Sequence, residues 1–556
     1  MIRILSFFLL ASLLNSCGSK NSREIVQGPA RYGDTITLSI PEALSSLHPL
    51  FNTDIYSHRV LSNIFEPLFE IDDKTNRVVP KVAEKFEWHD DSRRLRIYIR
   101  KGIYFHDDAC FDGSLTELTS EDVRFTLELA CSDNKLNQTN DALIGKIKGA
   151  EDFYHKRSGN IEGIKVINSH CLDLILNGKF THLPQLLTSS SYGICSQKAH
   201  EFYKNNILSH PVGTGPFILT TNSADYIRLD YNPNYWKKDQ YGNNLPYLNS
   251  LVFKIIKNEK QEILSFKSQI TDLISEVSPQ YIDEILSDLK HVQADKPFAH
   301  KVIVIPGSRV SMIVLNQRIE LFQDARIRQA IDLVIDRDYI ANELLNGDGI
   351  PASKGLAPNS SYYNNSELPD KIKNIALAQK LFKSAGYGTQ KDFPPIHLYF
   401  AGINNNQTKI YCKYLAKQLN ECLGITCKIH MVEIKTRLDA VKQNKAQCWK
   451  LGWSPDYPDP EAYFSLFYSK NAGHNPLLPK TNSAIFDFNY ESGMAEMENS
   501  LRNNYFTNCD LILQQENWVL PIMYEDFVFV YNLKVRGLHI SPMGLMDFTT
   551  AFIKPL

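Results

Sequence analysis

The sequence predicts an α/β fold, and three observations carry the prediction. Residues 370–450 alternate helical with strand patterns, as an α/β unit does. Residues 34–40, 95–105 and 213–236 read as β-structure punctuated by turn residues. The chain has 556 residues, which at roughly 100 to 200 residues per domain is enough for about two to four domains with ample cores.

Taken in order, residues 34–40 alternate polar and apolar side chains as a half-buried strand does, ahead of a loop over 41–49. A helix follows, with Val60, Leu61, Ile64 and Phe65 at helical spacing. Leu95, Ile97 and Ile99 share one face of a strand that runs into a turn at Gly102 and then a second strand. Thr119 or Ser120 opens a helix: either hydroxyl accepts a bond from the free first-turn N–H groups, and Glu121 and Asp122 suit the positive helix end. Residues 213–219 form a turn opening into a strand, and 227–236 form β-structure closed by an Asn-Pro turn. Gly213-Thr-Gly215 is not a phosphate loop, because no third glycine or Lys-Ser/Thr follows. Asp324 caps a helix over 325–334 with an Ile327, Ala330, Ile331 and Val334 face, and Asp336 caps a successor ending near Gly347. A helix over 376–385 stops at Gly386, and 396–400 is a strand.

The amino terminus predicts an address. Arg3, an apolar run over 4–14, Asn15-Ser16 and then Cys17 have the order of a bacterial lipoprotein signal, in which the cysteine is lipidated and becomes the new N-terminus. The run falls short of the roughly 20 residues that a spanning helix needs. An uncleaved anchor helix with an incidental cysteine is the other reading; small Ser16 and the polar stretch 18–23 favour the signal. The mature chain is therefore expected outside the cytoplasm, tethered to a membrane through an N-terminal lipid.

Sixty basic against 62 acidic residues leave a net charge of -2, so nothing points to a nucleic-acid or anionic-membrane partner. Nine cysteines remain beyond Cys17, an odd and scattered set unlike a dense disulfide framework, for which one or two bridges are expected. No Cys-x-x-Cys occurs, and His106 with Cys110 or His170 with Cys171 lack the second half of a zinc site. Neither a metal nor a cofactor is expected.

The segment 452–463, Gly-Trp-Ser-Pro-Asp-Tyr-Pro-Asp-Pro-Glu-Ala-Tyr, is the best candidate site. Asp459 precedes Pro460 and Glu461, the pattern of a helix start, and reads as a cap. Asp456 begins no helix. It stands between Pro455 and Pro458 beside Trp453 and Tyr457, where little backbone entropy remains to be lost on binding a cation. An Asx-turn that only stabilises its own loop explains Asp456 equally well.

Several segments together resemble the extracytoplasmic solute-binding proteins that include the dipeptide- and oligopeptide-binding proteins of ABC importers (family 5). They are Leu47-His-Pro49, Asn63-Ile-Phe-Glu-Pro-Leu68, the stretch 79–88, the hairpin and helix start over 95–123, Gly213-Thr-Gly-Pro-Phe217, Asn232-Pro-Asn-Tyr-Trp236, and Asp324-Ala-Arg326 with Ile335-Asp-Arg337. Their order is the family's, and they cover nearly all of 33–556. The resemblance implies a two-lobed periplasmic-binding-protein-like fold (type II) with an extra inserted domain. After the signal (1–17) and tether (18–32) come lobe I at 33–65, 201–308 and 519–556, the inserted domain at 66–200, and lobe II at 309–518. It implies a monomer that captures short peptides between its lobes and delivers them to an ABC permease and ATPase complex. By the same analogy Asp456 pairs with the peptide ammonium, with Trp453 and Tyr457 beside it, and Thr53, Asp54, Ile55 and Tyr56 lie against the bound chain. No motif supplies a partner for the peptide carboxylate. The loop between Asp107 and Thr119 is longer than the family pattern and contains Cys110, a candidate partner for Cys131; Ser454 and Pro455 stand where some relatives carry a cysteine. Relatives that bind oligosaccharides, opines, haem or nickel complexes keep a non-peptide solute as the alternative. A surface hydrolase is the remote one, since no Gly-x-Ser-x-Gly or His-Glu-x-x-His motif occurs.

Overall fold

The computed structural model describes residues 27–554 except 45, 53, 73–74, 76, 135, 138–139, 276, 278–280, 282–299, 346, 348, 388–392, 402–405, 456, 472–474 and 476. Cys17 and its signal, Thr53 and Asp456 thus lie outside the described residues. No helix among the described residues is long and apolar enough to cross a membrane.

An 11-stranded mixed sheet forms the spine. Its order runs Cys427–Val432, Ile396–Ala401, Cys448–Trp453, His300–Leu315, Val519–Asn532, Leu273–Ser275, Gly33–Ile40, Leu248–Ile255, Tyr226–Tyr231, Phe217–Asn222, with Ile350–Pro351 paired to Val519–Asn532. Strands from the middle of the chain lie at one end and strands from its first half at the other. The long antiparallel pair His300–Leu315 and Val519–Asn532 runs through both ends. Its register shifts between Ile305 and Arg309. There Gly307 takes a φ of +50° and donates its N–H to Asp526 Oδ1 at 2.8 Å. A bulge of this kind bends and twists a strand, so the two ends of the sheet are joined through a bent ribbon.

A second, four-stranded antiparallel sheet orders Ala83–His89, Arg94–Ile99, Cys171–Ile175 and Ile164–Asn168. The strand expected after Gly102 shrinks to a single bridge, Tyr104 to Glu117. The partners of Arg94–Ile99 come instead from residues before it and from residues more than seventy positions on. Leu95, Ile97 and Ile99 are buried together, with Val123 and Leu127 of the helix Ser120–Ala130 in the same cluster. That helix carries the expected start: Asp122 Oδ2 accepts from Thr119 N and Oγ1, both at 3.0 Å.

The helix Ile55–Leu61 ends before Ile64 and Phe65, which the helical spacing had included. Beyond it the Ile64 and Asn63 carbonyls accept from Gly215 N at 2.8 Å and Phe217 N at 3.1 Å. A Cβ on Gly213 would lie 2.1 Å from Ile64 O, and one on Gly215 2.7 Å from Asn63 O. The Gly-Thr-Gly run is therefore a close backbone contact between segments.

In the second half, Asp324 Oδ1 accepts from Arg326 N at 2.9 Å at the start of Ala325–Val334, whose four apolar residues are buried as expected. The successor opens into a π-helix, Tyr339–Leu344, with Asp336 Oδ1 accepting from Tyr339 N. Ile375–Ser384 ends at Gly386, φ +94°. The nine described cysteines are free thiols, Cys110 and Cys131 included, so the expected bridges are absent among them. Seven of the nine are buried, where a thiol packs as a small apolar group.

Candidate functional site

Strand alternation decides where Trp453 goes. On Cys448–Trp453, Trp449, Leu451 and Trp453 share a face, and all three pack in the cluster built on Phe464, Phe486 and Phe506. The Trp453 indole N–H donates to Ala462 O at 2.9 Å, closing the loop between them like a strap. Tyr457, four residues on, is 6 % exposed and packs in a different cluster, with Leu50, Leu183 and Leu186. The loop thus spans two cores, with Asp456 in its span.

Asp459 accepts from Glu461 N at 2.9 Å, as the cap reading expects. It does more. Its Oδ1 also meets Arg502 Nη2 at 2.7 Å, with both side chains almost fully buried. Burial by itself pushes the Asp459 carboxyl up, and the Arg502 charge, His182 and the hydrogen bonds from Arg502 and Glu461 N together outweigh it, holding the group below the usual Asp range. His182 Nδ1 stands 3.7 Å from Asp459 Oδ2, too far for a hydrogen bond. Burial lowers the His182 pKa to about 4, partly opposed by Asp459, so the ring is neutral at pH 7. Glu461, next on the loop, is 2 % exposed and pairs with Lys146 at 3.2 Å while accepting from Tyr490 OH. Lys146 and His182 belong to the part of the chain that carries the four-stranded sheet, and Arg502 and Tyr490 to the helices Asn499–Glu516 and Ala484–Ala495.

A second charged cluster lies at the start of the same strand pairing. Glu525 accepts from Lys450 at 3.1 Å and pairs with Arg309 at 3.2 Å, opposite the register shift. Burial alone would raise the Glu525 pKa; the two cations pull it down to about 2. A Cβ on Gly452 would lie 2.9 Å from the Arg309 guanidinium, so any larger residue there would make that side chain shift.

The other predicted residues have local duties. Asp54 caps Ile55–Leu61, its Oδ1 accepting from Ser57 N at 2.8 Å and its Oδ2 from Ser57 Oγ at 2.7 Å. Ile55 and Tyr56 are half-buried, and Tyr56 packs against the core of Ile36, Leu38 and Phe253 with the Arg59 guanidinium 5.7 Å from its ring centre. Leu50 and Tyr457 share a cluster, which brings the 49–56 segment and the 453–461 loop onto one body of packed side chains. A surface hollow of about 750 Å³ around Asp133, Phe153 and Lys156 shares no residue with either segment. Sequence reasoning missed Arg502, Lys146, Tyr490 and Glu525, which sit 29 to 315 residues from their partners or on a strand without a motif. No local signal marks them.

The family model of bacterial extracellular solute-binding proteins, family 5 (middle), matches residues 77–475. The chain belongs to this family. Among curated relatives of this family 5 protein, the di/tripeptide-binding protein 1 of Pseudomonas aeruginosa is 23% identical over 87% of this chain and 88% of its own length. The oligopeptide-binding protein OppA of Bacillus subtilis is 23% identical over 99% of both chains. Among solved structures, the periplasmic binding protein DppA of Helicobacter pylori in complex with the peptide STSA superposes with a TM-score of 0.80 at 20% identity, covering 94% of this chain and 99% of that one. The two-lobed α/β architecture expected from the sequence is the one these matches share.

Proposed function

We propose that this family 5 protein is the lipid-anchored, substrate-capturing component of an ABC importer, that it acts as a monomer without turning its cargo over, and that the cargo is short peptides. One observation carries the reading: the 453–462 loop is strapped by Trp453 to Ala462, by Asp459 to Arg502 and by Glu461 to Lys146. Described residues on either side of Asp456 that are so held lose little freedom on binding, and a carboxylate at this place in the sequence supplies the counter-charge an ammonium group needs. The peptide named with the Helicobacter structure and the names of the curated relatives support the cargo class.

In this reading lobe I holds 33–65, 201–308 and 519–556, lobe II holds 309–518, and 66–200 is the inserted domain. The chain would then leave lobe I at 308/309, beside the bulge between Ile305 and Arg309, and return at 518/519, where the strand Val519–Asn532 begins. Closure bends the ribbon there. Extended peptides are then held by backbone bonds and end charges, which tolerate varied side chains. Thr53 to Tyr56 remain candidates for contacts from lobe I through their backbone, since the Asp54 carboxylate is committed to its cap. Cys17 bears the lipid.

The test is thermal melting of protein stripped of co-purified ligand, against di- to octapeptides, oligosaccharides and metal chelates. A ligand of the folded state adds about 2.7 kcal/mol at a hundredfold excess over Kd, so peptides produce saturable shifts. Shifts from sugars or chelates with none from peptides would leave the fold standing and overturn the cargo.

A further inference from the structure

Three side chains that the sequence keeps far apart meet outside the site described above. His48 lies in the loop after Gly33–Ile40, at 1 % exposure. Cys195 is 2 % exposed just before the helix Gln197–Tyr203, and His200 is half-buried on that helix. His48 Nε2 is 2.9 Å from His200 Nε2 and 3.7 Å from Cys195 Sγ, and the three atoms lie within 4.8 Å of one another. The rings stand nearly perpendicular, at 87°, with their two Nε2 atoms at hydrogen-bond distance.

Donor type, spacing and surroundings fit a cation. Zinc takes nitrogen at about 2.0–2.1 Å and thiolate sulfur at about 2.3 Å, which around a tetrahedron separates the donors by roughly 3.3 to 3.6 Å. Two sides of the triangle, 2.9 Å and 3.7 Å, lie within about half an ångström of those spacings, and the third lies within 4.8 Å. Each ligand is held from outside the triangle: His48 stacks on Phe51 at 4.2 Å, His200 sits edge-on to Phe125 at 5.0 Å, and Cys195 N donates to Thr126 Oγ1 at 2.9 Å.

We propose that His48, Cys195 and His200 bind a zinc ion that staples the first loop of the chain to the segment returning from the four-stranded sheet. The cation displaces the proton of the Cys195 thiol, which leaves to solvent as one H⁺ per ion. His48 Nδ1 accepts from Leu50 N at 3.2 Å, which puts the ring's proton on Nε2. On ligation that proton moves to Nδ1 and this long contact is given up. A water takes the fourth corner, reached past half-buried His200. Cys195 and His200 stand five residues apart in the chain, and the third ligand is 147 residues from Cys195.

The test is titration of the metal-stripped full chain with Zn²⁺ and, for its spectrum, Co²⁺. Expected are one equivalent of Zn²⁺ bound, a thiolate-to-cobalt charge-transfer band with tetrahedral d–d absorption, and a higher melting temperature with Zn²⁺. Cys195→Ser should abolish the charge-transfer band, and Cys195→Ser and His200→Ala should each weaken zinc by more than about tenfold, since even outer partners of a ligand cost that much. Melting of the two variants without metal and their peptide-induced shifts establish that they fold. Failure of the wild type to bind stoichiometric zinc would overturn the proposal. So would zinc bound with equal affinity by wild type and both folded variants, or a Co²⁺ spectrum lacking thiolate character.

Discussion

Replacing Asp459 by Asn separates a helix cap from a buried charge pair. Asn caps nearly as well as Asp, and on that account alone the substitution costs only a few tenths of a kcal/mol. The structure argues for far more. Asp459 and Arg502 are 4 % and 6 % exposed at the side chain and 2.7 Å apart, and Arg502 Nε has no hydrogen-bond partner among the described residues. Asn leaves the guanidinium buried without a counter-charge, a change that typically costs about 3 to 5 kcal/mol. Adding Arg502→Met, which fills similar space without charge, should recover most of the loss. Urea unfolding followed by Trp fluorescence and circular dichroism reads both variants, with the transition that includes the 453–506 region compared because several units need not unfold together. Acid gives a second reading. The folded Asp459 carboxyl is held low, so its contribution is complete above the unfolded Asp range near about 4 and is lost as pH falls through the folded value. Wild type and Asp459→Asn should therefore converge in acid. A loss no larger than a cap's, or a double variant no better than the single, would refute the ion-pair account.

Three further outcomes follow from the same geometry and from the proposed roles. Asp456→Asn should weaken free peptides by two to three decades, the equivalent of about 3 to 5 kcal/mol, while N-acetylated peptides discriminate little between variant and wild type; calorimetry showing equal losses for both would assign Asp456 to shaping its loop. Glu525 titrates near 2 in the folded protein, so its contribution, roughly 3 kcal/mol at about 1.4 per pK step, is present above about pH 4.5 and lost between there and about 2, and Glu525→Gln should flatten the acid limb of a stability–pH curve. Cys17→Ser should abolish incorporation of radiolabelled palmitate, with equal labelling of the two chains counting against the lipid anchor.

What the sequence by itself determined was local: period-two strands at 34–40 and 396–400, the Thr119 and Asp324 helix starts and the Gly386 stop depend on residues within one turn of each other, and ordered short motifs sufficed to point to the family. It also marked the 452–463 loop, because prolines, aromatics and acids cluster there in the chain. Tertiary structure alone decided how that loop is held. Asp459 reads locally as a cap, yet its carboxylate meets Arg502, 43 residues away, and Glu461 meets Lys146, 315 residues away. The partners of Arg94–Ile99, the early end of the helix at Leu61 and the meeting of His48 with Cys195 and His200 have the same origin. Charge pairing, strand partnership and metal-ligand geometry act between surfaces brought together by burial, and burial is set by the packing of whole segments that no short window of sequence contains.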